Sequence, residues 1–307
     1  YIFTWLMLMA PLMYLLPSNM AALLYLIGIT YLGIYWGFEH GLFWPYWLML
    51  LALLPHYFLQ QRKEEVRNFH TFMHYLIPLS AFLGLFASMS ALDLSSPGAF
   101  LWLPVGFMLF FGICQAIGAS KWMEKFSSGQ NGFMVLYNLG MTITLMVLSF
   151  RFFWMEELHK QKEDILQSLF TSPLGTFLLI LALSYGGLTA WNMVRKQNKS
   201  ELQQQLVLPV FIALFFLGIY YPMVAMIGVN LLLLLLGIAA IREGIHRGKI
   251  GILNYGLLVL AILVICRFFD AELSFMLRGL AFFLLGISFY AANIVMLRRI
   301  QSQNTPS

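Results

Sequence analysis

The chain has 307 residues, of which 61% are hydrophobic and only 10% charged. Soluble globular domains carry about 25% charged residues, so a protein with its whole surface in water is excluded. The net charge of +5 collects in alternate loops, which makes it a topology signal rather than a sign of nucleic-acid affinity.

A helix of about twenty apolar residues crosses the hydrocarbon core of a bilayer, and the sequence divides into about eleven such runs. Ile2–Leu16 contains Pro11 and stops at Pro17-Ser18, and Ala21–Phe38 ends at the polar tip Glu39-His40-Gly41. Phe43–Leu59 leads into QQRKEEVRNFH, His70–Met89 into ALDLSSPG, and Phe100–Gly118 into ASKWMEKFSSGQN. Gly132–Trp154 is followed by the longest polar connection on its side, Met155–Phe170, whose apolar and charged residues interleave as in a short amphipathic helix on the membrane or a lid. Leu174–Val194 precedes RKQNKSELQQQ, and Pro222 splits Leu206–Tyr221 from Ile227–Ile241. Ile250–Phe269 and Leu273–Leu297 form a last hairpin with a charged tip, Asp270-Ala271-Glu272, and basic feet.

Counting back from Arg298 and Arg299, one alternating set of loops holds Arg62, Lys63, Arg67, Lys121, Lys125, Arg195, Lys196, Lys199, Arg242, Arg247 and Lys249. With the C-terminal pair that is thirteen of the eighteen Lys and Arg. By the positive-inside rule this face is cytoplasmic, which puts the C-terminus there too. The opposite face takes Arg151, Lys160, Lys162, Arg267 and Arg278, with eight of the thirteen acidic residues. The chain begins at Tyr1 with no Met and no signal-peptide pattern, so further residues are expected upstream.

Asn138–Phe153 and Asn254–Phe269 align without a gap at Asn, Gly, Arg, Phe and Phe, and Gly132 matches Gly248. Both copies run towards the non-basic face. The expectation is a parallel repeat, with units 132–200 and 248–300, although apolar spans resemble one another by default.

The residues that stand out chemically lie near the non-basic face. Arg267 and Asp270 are three apart and can pair along one helix; Arg278 lies about two turns into the last span, and Arg151 holds the repeat-equivalent place of Arg267. An arginine inside a bilayer costs roughly 3 kcal/mol on insertion scales, so these side chains face protein, water or a ligand. One reading is an outward pocket in which guanidiniums hold a phosphate or carboxylate; the other is an ion-pair cluster closing the hairpin tip. Glu39-His40, between Trp36 and Trp44, reads as a general acid–base pair or as a hydrated turn in an aromatic belt. His70 and His74 share a helix face, but HTFMH lacks the glutamate of the zinc-protease helix, and interfacial histidines are the plainer reading. The amides Gln115, Asn138, Asn192, Asn230, Asn254 and Asn293 fit interhelical hydrogen bonds or a polar path. Cys114 and Cys266 fall inside spans near opposite faces, which disfavours a disulfide. The sequence has no Gly-rich phosphate loop, no Ser-centred nucleophile elbow, no cysteine metal motif and no paired carboxylates in mid-span. Neither a cofactor nor a metal is expected.

The run RFFDAELSFMLRGLAFFLLGISFYAANIVMLRR resembles a bacterial family of multi-span membrane proteins, a domain of unknown function frequent in Bacteroidota. The resemblance rests on Arg267-Phe268-Phe269-Asp270, Leu273-Ser274-Phe275, Arg278-Gly279-Leu280, Gly286 and Arg298-Arg299. It implies a multi-pass protein of the bacterial inner membrane with a short cytoplasmic segment ahead of the first span, and it carries no activity.

The expectation is therefore one all-α transmembrane domain over residues 1–307, a polytopic bundle of about eleven spans built from helical hairpins. Its expected partners are membrane lipids, a small anionic or lipid-like ligand held by Arg151, Arg267, Asp270 and Arg278, and a membrane protein. The alternatives are an enzyme acting on a lipid-linked substrate with Glu39 or His40 as base, and a structural subunit that docks a partner.

Overall fold

The computed structural model describes residues 1–16, 18–61, 67–92, 98–120, 123, 126, 131–171, 173–194, 206–270, 276, 279–280, 283–284, 286–288, 290–291 and 294. Among the described residues the chain is helical, with no strand. The helices are α1 (Ile2–Leu15), α2 (Asn19–His40), α3 (Trp44–Gln61), α4 (Arg67–Ala91), α5 (Leu103–Gly118) after a short 3₁₀ turn (Ala99–Trp102), α6 (Gly132–Leu148), α7 (Lys162–Thr171), α8 (Pro173–Val194), α9 (Val207–Tyr220), α10 (Pro222–Arg247) and α11 (Ile250–Asp270).

Among the described residues six stretches are long and apolar enough to cross a membrane: Asn19–His40, Asn68–Ala91, Ala99–Gly118, Pro173–Val194, Pro222–Arg247 and Ile250–Arg267. Ile2–Leu15, Gly132–Leu148 and Val207–Tyr220 are apolar but shorter. Among the described residues, then, six helices suit a membrane-embedded protein by length and composition, where the sequence reading expected about eleven spans in the whole chain. The eleventh expected span, Leu273–Leu297, lies in large part outside the described residues. The helices fall into two compact units: Tyr1–Met141 with Gln161–Pro209, and Thr142–Lys160 with Val210–Ser307.

In the first unit, packing follows the small residues. The ring of Tyr46 lies where a Cβ on Gly33 or Gly84 would be, so α2 and α4 close on α3 through an aromatic seated between two glycines. The Tyr46 hydroxyl meets Ser80 Oγ at 2.9 Å, and Ser80 Oγ meets Thr30 Oγ1 at 2.6 Å. Lipid offers no partner for such groups, so they satisfy one another inside the bundle. Gly37, at GxxxG spacing from Gly33, rests on the Ala87 carbonyl. Asn192 Nδ2 donates to the Ala116 carbonyl at 2.7 Å, tying α8 to α5.

The expected amphipathic segment is partly realised in α7. It is not loose on a surface: Trp102 Nε1 donates to the Ile165 carbonyl at 3.0 Å and to Ser168 Oγ at 3.2 Å, with Gly98 against the Ile165 backbone. Ile165 is fully buried and Phe170 fully exposed.

In the second unit α10 and α11 form a tight hairpin. The helix continues through Arg247, beyond the expected end at Ile241, and Gly248 stops it at φ +66°. The amides of Gly248 and Lys249 both reach the Gly244 carbonyl, an arrangement that needs the left-handed backbone glycine allows. Arg247 pairs with Glu243 at 2.8 Å one turn back. Further along, a Cβ on Gly256 would lie 2.7 Å from the Gly237 carbonyl and from the Ile241 amide. The two backbones approach as closely as small residues permit.

Candidate functional site

The feature that organises the second unit is an interruption in an apolar run that the sequence reads as one span. The expected span Gly132–Trp154 stops as an α-helix at Leu148, passes through a turn at Ser149-Phe150, and resumes at Arg151 into a π-helical turn, Phe153–Leu158. No Gly or Pro stands at the break. Two side chains enter the backbone ladder instead: Ser149 Oγ donates to the Met146 carbonyl at 2.6 Å, and Trp154 Nε1 donates to the Leu148 carbonyl at 2.6 Å. Inserted side chains and π-bulges are the usual causes of a sharp interruption.

A helix ending in this way exposes its last carbonyls and the negative end of its dipole. Here the carbonyls from Met146 to Ser149 are answered. The amides of Ser149 and Phe150 turn back to Met146 and Val147, and Trp154 takes Leu148. The Ser149 carbonyl receives Asn230 Nδ2 at 3.2 Å and Arg267 Nη2 at 2.6 Å. The same Nη2 reaches Ser149 Oγ at 3.0 Å, and the guanidinium carbon stands 5.4 Å from the centre of the Phe150 ring. Arg267 is half-buried. Asn230 lies eight residues inside α10, about 12 Å along the axis from Pro222. The carbonyl it shares with Arg267 is therefore well below that end of the helix.

Of the expected ligand-binding residues, Arg267 is the one the structure places at this break. It stands on the carbonyl end of α6, a contact that charge-pair reasoning from Arg267 and Asp270 did not foresee. Arg151 begins the helical turns beyond the break and is exposed, with Nε 2.9 Å from Met155 Sδ. The two arginines of the proposed repeat thus have different surroundings: the α11 copy runs unbroken through Arg267, and the α6 copy breaks ahead of Arg151. Asp270 closes α11, its side chain lying outside the described residues, as does Arg278. Glu39 and His40 end α2 in the first unit and are exposed, with the His40 ring edge-on to Tyr35 at 5.5 Å. The arginines of the break belong to the second unit.

Sequence reasoning missed Ser149, Phe150 and Trp154. A serine in an apolar run is common, and nothing local marks the break. Asn230 was legible as an interhelical amide, though its partner was not.

The histidines lie elsewhere. His56, His70 and His74 are buried in the first unit, on the helices that flank the α3–α4 connection. His74 stands edge-on to Phe126 at 4.3 Å, and Tyr57 faces both His70 and His74. Among the described residues no group of three His, Cys, Asp or Glu is placed to hold a metal ion. Cys114 is a buried free thiol and Cys266 a half-buried one.

No family model, curated protein or solved structure matches the chain.

Proposed function

We propose that the protein is a multi-pass membrane protein that binds or moves a small anionic or lipid-like ligand at the broken α6. The observation that carries this reading is Arg267, a half-buried guanidinium set on the carbonyl end of a helix interrupted within an apolar run. Ionisable groups at such depth are costly and mark ligand or ion paths by default. Interrupted transmembrane helices are where transporters build their sites, because irregular backbone at that level is tolerated only against protein or a polar cavity. Arg267 fixes a positive charge there, Arg151 adds a second just beyond the break, and Asp270 and Arg278 are the remaining members of the proposed site.

The orientation follows from charge. In the second unit the α10–α11 turn carries Arg247 and Lys249, and the break lies towards the other end of α10. The positive-inside rule supports a cytoplasmic basic turn and an outward break in a bacterial inner membrane. The C-terminal signature built on Arg267-Phe268-Phe269-Asp270 supports grouping the chain with the multi-span family it resembles.

The test is native mass spectrometry of protein purified in mild detergent. The wild type is expected to carry a small anionic or lipid-like adduct that Arg267→Gln lacks. A wild type free of any adduct, or an Arg267→Gln variant that keeps it, would sink the proposal.

A further inference from the structure

We infer that the ligand's anionic group is a membrane phospholipid's phosphate and that Arg151 receives it; this rests on the ligand-binding reading above. Arg151 is exposed, and the one polar contact described for it is the thioether of Met155. No carboxylate pairs with it among the described residues. Its neighbour Phe152 is also exposed, so apolar surface adjoins the position from which the guanidinium emerges. The segment that Arg151 opens is tied to the rim of the unit: His159 Nδ1 lies 3.4 Å from the Ile219 carbonyl at the α9–α10 corner, where Tyr220 and Tyr221 are both exposed. Tyrosines gather at headgroup level, and an arginine starting somewhat deeper reaches that level by extending its side chain.

The chemistry selects a lipid over a dissolved anion. A free anion needs enclosure to be held in competition with water, whereas an amphiphile brings its own partition energy. Its acyl chains would lie along the face bearing Phe152 while the planar guanidinium takes two phosphate oxygens. Arg267, with Nη2 engaged on Ser149, positions the break and is not the primary phosphate contact.

The experiment compares wild type, Arg151→Gln and Arg151→Lys released from phosphatidylglycerol nanodiscs into the mass spectrometer. A parallel set uses an uncharged glycolipid of equal chain length. Wild type should retain phosphatidylglycerol, should not retain the glycolipid, and should keep its lipid in excess inorganic phosphate. Arg151→Gln should retain about tenfold less, the factor that corresponds to about 1.4 kcal/mol, and Arg151→Lys should fall between them. Equal retention by Arg151→Gln, or equal retention of the glycolipid, would overturn the inference. Stripping of the lipid by inorganic phosphate would also overturn it, while leaving an anion site at the break intact. Failure of the broader reading shows differently, as a wild type that binds neither phosphate nor lipid.

Discussion

Arg267 is held by backbone, and that sets what its removal does. Its guanidinium answers a helix-terminal carbonyl and a hydroxyl and lies over the Phe150 ring. Charge-assisted bonds of this kind are worth about 1.5–3 kcal/mol. Arg267→Ala is therefore expected to lower stability by about 2 kcal/mol, read as the unfolding midpoint in detergent, while Arg151→Ala, at an exposed position, should stay within about 0.5 kcal/mol. Equal losses at the two arginines would contradict the difference in their surroundings. That an arginine here matters was legible in the sequence, since a charge in an apolar run needs a partner. Which partner was not: an acid three residues away is visible in one dimension, and a carbonyl 118 positions away is not.

Between elements, contact is set by glycines whose roles differ though their neighbourhoods look alike in sequence. Gly256 faces the backbone of α10, whereas a Cβ on Gly187 in α8 would meet nothing within 4 Å. Gly256→Ala should cost about 1–3 kcal/mol through overpacking. Gly187→Ala should be neutral or stabilise by up to about 1 kcal/mol through helix propensity. The two are distinguished by thermal unfolding of the purified variants. Trp102 gives a third expectation. Trp102→Phe removes the donor to Ile165 and Ser168, so amides of α7 should exchange with deuterium faster, with α5 little changed. Helix positions were legible because apolar run length determines them. The break at Ser149 and the continuation of α10 through Arg247 were not, because the first comes from side chains inserted into the backbone and the second from a glycine cap placed later than the charges suggest.

For the whole molecule, composition alone excluded a water-soluble protein, and the six membrane-length helices among the described residues agree. Topology is the first claim at this scale to test. With both native cysteines replaced, a cysteine at Lys249 in the α10–α11 turn should react in intact cells with permeant reagents only, and one at Tyr221 with impermeant reagents also. The reverse pattern would invert the orientation argued from charge. The site itself is tested most directly by the unfolding midpoint of purified wild type and Arg267→Gln, each measured with and without phosphatidylglycerol and, separately, inorganic phosphate. A ligand bound to the folded state alone raises that midpoint in proportion to its affinity. If the arginine-held break is the binding site, one of these anions raises the midpoint of the wild type and leaves that of Arg267→Gln nearly unmoved. An equal rise in both proteins, or no rise in either, would contradict it.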